Sequence, residues 1–182
     1  MRLGVMCSGN GTNFQNIVTN PICNTNEVVL MIHNPKECGA VKRAAKYGIT
    51  HCRIPHKEED KMIMLMEVYK VDLIILAGYM RVIKHPDRFP APMINIHPSL
   101  LPKYKGLHAI EQAFESGDDK TGVTVHYVNE ELDGGEIIMQ QEVQILPDDN
   151  IKSLTKAIQR IEYAILPTAI EQIKHDRLRV TV

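Results

Sequence analysis

Residues 71–79, VDLIILAGY, hold the run from which the fold can be read. From Leu73 to Ala77 five apolar side chains follow one another, without the alternation of a half-exposed strand or the spacing of an amphipathic helix. Such a run fits a strand buried on both faces, the kind found in parallel sheets sheathed by helices. Upstream, EEDKMIMLMEVYK (58–70) repeats its apolar residues at helical spacing, and downstream MINIHPS (93–99) reads as another strand. The alternation extends both ways. LGVMCS (3–8), VVLMIHN (28–34) and THCRIP (50–55) read as strands, while FQNIVTN (14–20), AVKRAAKYG (40–48) and LHAIEQAFESG (107–117) read as helices. The expected fold is a single α/β Rossmann-like domain over residues 1–182, with a mostly parallel central sheet and helices on both faces. An antiparallel addition is expected near the C-terminus, where GVTVHYV (122–128), read as half-exposed, and GEIIMQQEVQI (135–145) are joined by a short loop. Residues 153–175 form a long amphipathic pattern with Pro167 inside it, and RLRVTV (177–182) reads as a closing edge strand.

At 182 residues, 44% hydrophobic and 24% charged, the chain has the composition of one globular domain with a sizeable core. A formal net charge of -1 offers no global basic field for nucleic acid and no acidic arm. Cys7, Cys23, Cys38 and Cys52 form no C-x-x-C pair, so reduced structural thiols are expected, with no disulfide framework and no metal. The start, MRLGVMCSGNG, lacks the long apolar region of a signal peptide, and no window approaches the ~20 apolar residues of a membrane span. The expected protein is soluble and cytoplasmic, a monomer or weak homodimer with no nucleic-acid or membrane partner.

In open α/β sheets, ligands bind beyond the carboxyl ends of the strands, where strand order reverses. The first apolar run ends in CSGNGTNFQ (7–15). Its glycines leave backbone N–H groups free to face an anion, and the following helix adds its dipole. Thr12 and Asn13 can donate from their side chains, or one of them can simply cap that helix. The loop is neither a Walker A sequence nor a full G-x-G-x-x-G. After VDLIILAGY, Gly78 allows close approach of a ligand. Met80, Arg81, Val82 and Ile83 then read either as surface or as the wall of a slot for a flat ligand.

INIHPSLLPKYKG (94–106) places Asn95 and His97 on one strand face by the two-residue period, and Pro98 ends the ladder there. An amide beside an imidazole suits acyl transfer, donating to an oxyanion and moving a proton; a satisfied polar pair under a loop is the alternative. NEELDGGE (129–136) supplies Asp133, either as part of a common turn or as the carboxylate that orients His97 and favours its charged form. His108 and His126 rank second around the same cleft. No G-x-S-x-G nucleophile elbow is present. The chemistry suggested is direct attack by a substrate amine on an acyl donor.

Taken together, SGNGTN, LAGYMR, NIHPSLLPKYKGLH, TGVTVHYV and ELDGG, in this order, resemble the phosphoribosylglycinamide formyltransferases, folate-dependent enzymes of purine biosynthesis. NIHPSLLP with LDGG marks the wider formyltransferase superfamily, whereas SGNGTN and PKYKGLH point to the glycinamide ribonucleotide branch. The resemblance covers nearly the whole chain. It implies Asn95, His97 and Asp133 as the catalytic trio, and Gly11, Thr12 and Asn13 as the phosphate loop. It further implies that Gln159 and Glu162 face the ribonucleotide. Met80, Arg81, Val82 and Ile83, with Asn129, Glu130, Glu131, Leu132 and Asp133, would receive the ring of 10-formyltetrahydrofolate, the co-substrate, close to Asn95.

The chain departs from this pattern in places. Where relatives often carry a folate-contacting arginine, PHKEEDK (55–61) offers His56 or Lys57, and lysine loses bidentate pairing. Glu136 follows Gly135 where a proline is common. Rival readings are formyltransferases acting on methionyl-tRNA or an amino-sugar nucleotide, a formyl-folate hydrolase, and a regulatory nucleotide-binding module without turnover. The first and the hydrolase carry additional domains not expected within 182 residues. The complete trio speaks for an enzyme.

Overall fold

The computed structural model describes residues 1–180, and Leu73–Leu76 (β4) is an interior strand of a seven-stranded sheet. Its side chains alternate between two cores. Leu73 and Ile75 join one apolar cluster, Ile74 and Leu76 the other, so both pleat faces demand apolar residues. In chain order the elements are β1 (Arg2–Cys7), α1 (Thr12–Thr19), β2 (Glu27–His33), α2 (Gly39–Lys46), β3 (His51–Arg53), α3 (Glu59–Val68), β4, β5 (Met93–His97), α4 (Ala109–Glu115), β6 (Lys120–Tyr127), β7 (Ile137–Gln144) and α5 (Ile151–Val180). The strands lie in the order β3-β2-β1-β4-β5-β6-β7. Those from β1 to β5 run parallel, β6 is antiparallel to β5, and β7 is antiparallel to β6.

Helices cover both faces, as expected. Phe14 and Ile17 of α1, Ala40 and Ala44 of α2, and Leu154, Ile158 and Leu166 of α5 pack on one side. Met62 and Met66 of α3 close the other. Each large side chain so buried stabilises the fold by about 1.5–3 kcal/mol before entropy is counted. Among the described residues, no helix is long and apolar enough to cross a membrane.

Two expectations are corrected. The strand read as half-exposed, β6, is buried from Thr121 to His126, because it is flanked by β5 and β7 and the Leu100 side chain presses on it at Gly122. A Cβ at Gly122 would lie 2.4 Å from Leu100 Cδ2 and 2.2 Å from the Gln141 carbonyl oxygen. The sheet edge on this side is β7, largely exposed. In the RLRVTV segment, residues 177–180 continue α5 rather than form a strand, and Thr181 and Val182 lie outside the described residues. Arg177 and Arg179 stand in the last turn of that helix, where cations complement the exposed carbonyls.

Pro167 sits inside α5. Having no N–H, it cannot bond the carbonyl of Tyr163 one turn back. Asn16 of α1 takes that carbonyl instead, donating from Nδ2 at 2.9 Å. Replacing Asn16 by alanine is expected to cost about 1–3 kcal/mol in urea unfolding, because the carbonyl is left without a donor. Adding Pro167→Ala returns an N–H to the helix, so the double variant is expected to recover part of that loss.

Candidate active site

Strand order reverses at β1: β2 lies on one side of it and β4 on the other. The connections leaving β1 and β4 are tied together across the gap. Ser8 N–H donates to the Gly78 carbonyl at 3.0 Å, and Met80 N–H donates to Ser8 Oγ at 2.8 Å. Ser8 in turn donates to Asn34 Oδ1 at 2.6 Å. At the far end of residues 80–83, the buried Glu59 accepts the Lys84 N–H at 2.7 Å. This wall is pinned at both ends.

Asn95 and His97 project from the same face of β5, next to β4 in the sheet. The antiparallel register sets Asn95 opposite His126 and His97 opposite Thr124. Cross-strand partners share a face, so β6 delivers His126 to the same place. The loop after β6 brings Asp133 down onto all three. Asn95 Nδ2 lies 3.4 Å from Asp133 Oδ1 and 3.3 Å from His126 Nε2. His97 Nδ1 is 3.5 Å from Asp133 Oδ2, and His126 Nε2 is 3.6 Å from Asp133 Oδ1. Asp133 adopts a left-handed backbone, φ 47°, which is strained for a residue with a side chain and recurs at functional sites.

Backbone groups complete the cluster. Gly106 N–H donates to Asp133 Oδ2 at 2.8 Å. His97 Nε2 meets the Tyr104 carbonyl and His126 Nδ1 the Tyr127 carbonyl, each at 2.8 Å. A carbonyl can only accept, so both of these nitrogens carry hydrogens. Each ring then reaches Asp133 as a donor only when doubly protonated. Burial works against the Asp133 charge, but His126, the Gly106 N–H and the His97 imidazole outweigh it and hold the group down to about 2. Asp133 is an anion throughout the neutral range.

The loop between β1 and α1 takes shape differently from a capped helix. Gly11 is the residue before α1, left-handed at φ 71°, and no side chain caps the helix. Asn13 lies within α1 and donates from Nδ2 to Glu162 Oε2 of α5 at 3.1 Å. Its Oδ1 is buried without a partner. Glu162 is pushed up by burial, partly offset by Asn13.

A single cavity of ≈ 570 Å³ connects these parts. It is lined by Asn13 and Glu162, by Met80, Arg81, Val82 and Ile83, by Asn95, His97 and His126, and by Asn129, Glu130, Glu131, Leu132 and Asp133. The volume suits a small organic ligand. Met80, Val82 and Leu132 are exposed apolar side chains, as a slot for a flat ring requires. His108 lines the cavity with its side chain largely outside, near Glu111. Gly11, Thr12, Gln159 and Lys57 do not line it, and Lys57 is exposed ahead of α3. His126, a second-rank candidate in the sequence, is brought beside Asn95 and Asp133. Only the strand register could have raised it, while the Tyr104 and Gly106 backbone groups left no signal in residue type.

The chain matches the family described as formyl transferase over residues 1–170. It is 36% identical to the phosphoribosylglycinamide formyltransferase of Haemophilus influenzae, over 98% of this chain and 90% of that one. It is 38% identical to part of the trifunctional purine biosynthetic protein adenosine-3 of Drosophila melanogaster, matching 94% of this chain and 14% of that protein. The crystal structure of phosphoribosylglycinamide formyltransferase from Bacillus halodurans superposes with a TM-score of 0.90 at 34% identity, covering 95% of each chain.

Because the folded value for Asp133 lies below its ordinary 3.8, its contacts add stability that is complete above the ordinary range and is lost as pH falls toward about 2. The stability gap between wild type and Asp133→Asn, from urea unfolding between about pH 6 and pH 2.5, is therefore expected to hold steady and then narrow at the acid end. A gap that does not narrow would show that these contacts do not stabilise the anion.

Proposed function

The chain belongs to the formyl transferase family, and from that premise we propose that it transfers the formyl group of 10-formyltetrahydrofolate to the amine of glycinamide ribonucleotide in purine biosynthesis. The observation that carries this reading is the shared cavity. The Asn13–Glu162 pair and the slot of residues 80–83 with 129–133 open on the same space, and Asn95, His97 and Asp133 stand on its wall. A nucleotide and a flat acyl donor can meet there beside an amide, an imidazole and a carboxylate.

The phosphate loop, residues 11–13, receives the 5′-phosphate at the start of α1. Asn13 Oδ1, buried without a donor, and Glu162 are acceptors for sugar hydroxyls. Residues 80–83 and the 129–133 loop hold the donor's ring. Asn95 offers an N–H to the formyl oxygen as the amine attacks. His97, charged beside Asp133, adds the second donor. Its Nε2–H exchanges the neutral Tyr104 carbonyl for an oxyanion, the stronger acceptor. Asp133 holds the imidazolium in place and, through water, assists the proton's passage from the attacking amine to the departing nitrogen. No protein nucleophile is needed.

Holding amine and formyl carbon together supplies up to about 7–11 kcal/mol of barrier reduction, and each oxyanion donor about 2.7–4 kcal/mol. Positioning dominates. The test is a folate-release assay with glycinamide ribonucleotide and 10-formyl-5,8-dideazafolate. Release is expected to require the ribonucleotide, to fall roughly 10²–10³-fold in kcat for Asn95→Ala, and to be lost in His97→Ala. Release without the ribonucleotide would mark a hydrolase, and tight binding of both ligands without release would mark a regulatory module.

A further inference from the structure

Helix α2 presses on the outer side of the phosphate loop, and Arg43 is its point of contact with the loop's backbone. A Cβ added to Gly11 would lie 2.6 Å from Ala40 Cβ, and one added to Gly39 would lie 2.9 Å from the Asn10 backbone. Helix and loop therefore touch with no room between them. The loop's carbonyls are taken up on this side. The Gly9 carbonyl accepts Ala40 N–H at 3.2 Å and the Cys38 thiol at 3.0 Å. The Asn10 carbonyl accepts Arg43 Nε–H at 2.7 Å. Arg43 also donates through Nη1 to Gln15 Oε1 on α1.

In a trans peptide the carbonyl and the following N–H point to opposite sides. Fixing the Gly9 and Asn10 carbonyls toward α2 therefore turns the Asn10 and Gly11 N–H groups away from it. Among the described residues, neither N–H donates to a protein acceptor. Arg43 spends both bonds on neutral oxygens, and no carboxylate among the described residues pairs with it. Its full positive charge stays directly behind the loop, and a guanidinium, unlike a lysine, can brace two acceptors at fixed angles.

We propose that Arg43 is a positioning residue for the ribonucleotide's phosphate: it orients the Asn10–Gly11 peptide so that its N–H faces the phosphate, and it neutralises the bound dianion through the loop. This assignment rests on the phosphate-loop reading above. It also accounts for a site that takes a doubly charged group although no lysine and, apart from Arg81, no arginine lines the cavity.

The test compares wild type, Arg43→Met and Arg43→Lys on glycinamide ribonucleotide and on the corresponding nucleoside, which lacks the phosphate. In Arg43→Met, the KM for the ribonucleotide is expected to rise about 10- to 100-fold. The KM for the formyl-folate and the kcat/KM for the nucleoside are expected to stay near wild type. Arg43→Lys keeps the charge and one donor and is expected to fall between the two. It also stands in if Arg43→Met melts too early to assay. A merely structural brace would lower nucleotide and nucleoside use alike, and that result overturns the proposal. So does an Arg43→Met enzyme that keeps the wild-type preference for the nucleotide. If the wild type itself uses nucleotide and nucleoside equally, the phosphate-loop reading fails first and Arg43 loses its role with it.

Discussion

The sheet reverses its strand order at β1, and everything chemical in the molecule follows from that reversal. Connections leaving β1 and β4 must travel to opposite faces, so a crevice opens above their carboxyl ends. The Ser8–Gly78 and Met80–Ser8 bonds keep the crevice at a set width. Into it project the glycine-rich loop from β1, the apolar wall from β4 and the two polar side chains from β5. None of these segments could serve alone. Parallel neighbours place their ends side by side, and that adjacency makes one site of three short sequences.

Two of the carboxylates that line this crevice stand in opposite electrostatic settings. Asp133 is buried but surrounded by donors, and these keep it ionised down to about 2. Glu162 is buried with one amide for company, and the balance runs the other way. Environments that push two acids apart assign them different work. Asp133 is suited to hold a cation, and Glu162 to exchange hydrogen bonds with neutral hydroxyls. The left-handed backbone at Asp133 is the local cost of bringing its carboxylate over β5 and β6.

What was legible in the sequence was what period and punctuation encode. Leu73 to Ala77 announced a doubly buried strand, and the two-residue period put Asn95 and His97 together before any coordinates did. Burial of β6 was not legible, because its alternation, Thr124 and His126 against Val123 and Val125, is that of a half-exposed strand. The structure buries those polar residues by satisfying them: Thr124 Oγ1 donates to the Ser99 carbonyl at 2.7 Å and accepts the Leu101 N–H at 3.2 Å. The tail was misread for a related reason, since RLRV alternates as well as any strand, but β7 already occupies the sheet edge on that side. Resemblance named Glu162, whose place depends on how two helices dock, a fact no local pattern carries.

That docking returns to Pro167. A helix ordinarily slides against its neighbour with little loss, because its backbone is satisfied internally and its apolar stripe is forgiving. Here the proline leaves one carbonyl for Asn16 of α1, and one turn of α1 away Asn13 reaches Glu162. The two helices are thus keyed at two teeth, like a ratchet with a single stop. The interval from Glu162 to Pro167 becomes a gauge length. Inserting or deleting one residue within it would turn Glu162 by about 100° around the helix axis, away from the crevice, while leaving the apolar stripe beyond the proline seated as before. A change in the length of α5 would in this way take one polar group off the wall of the crevice, with the fold intact.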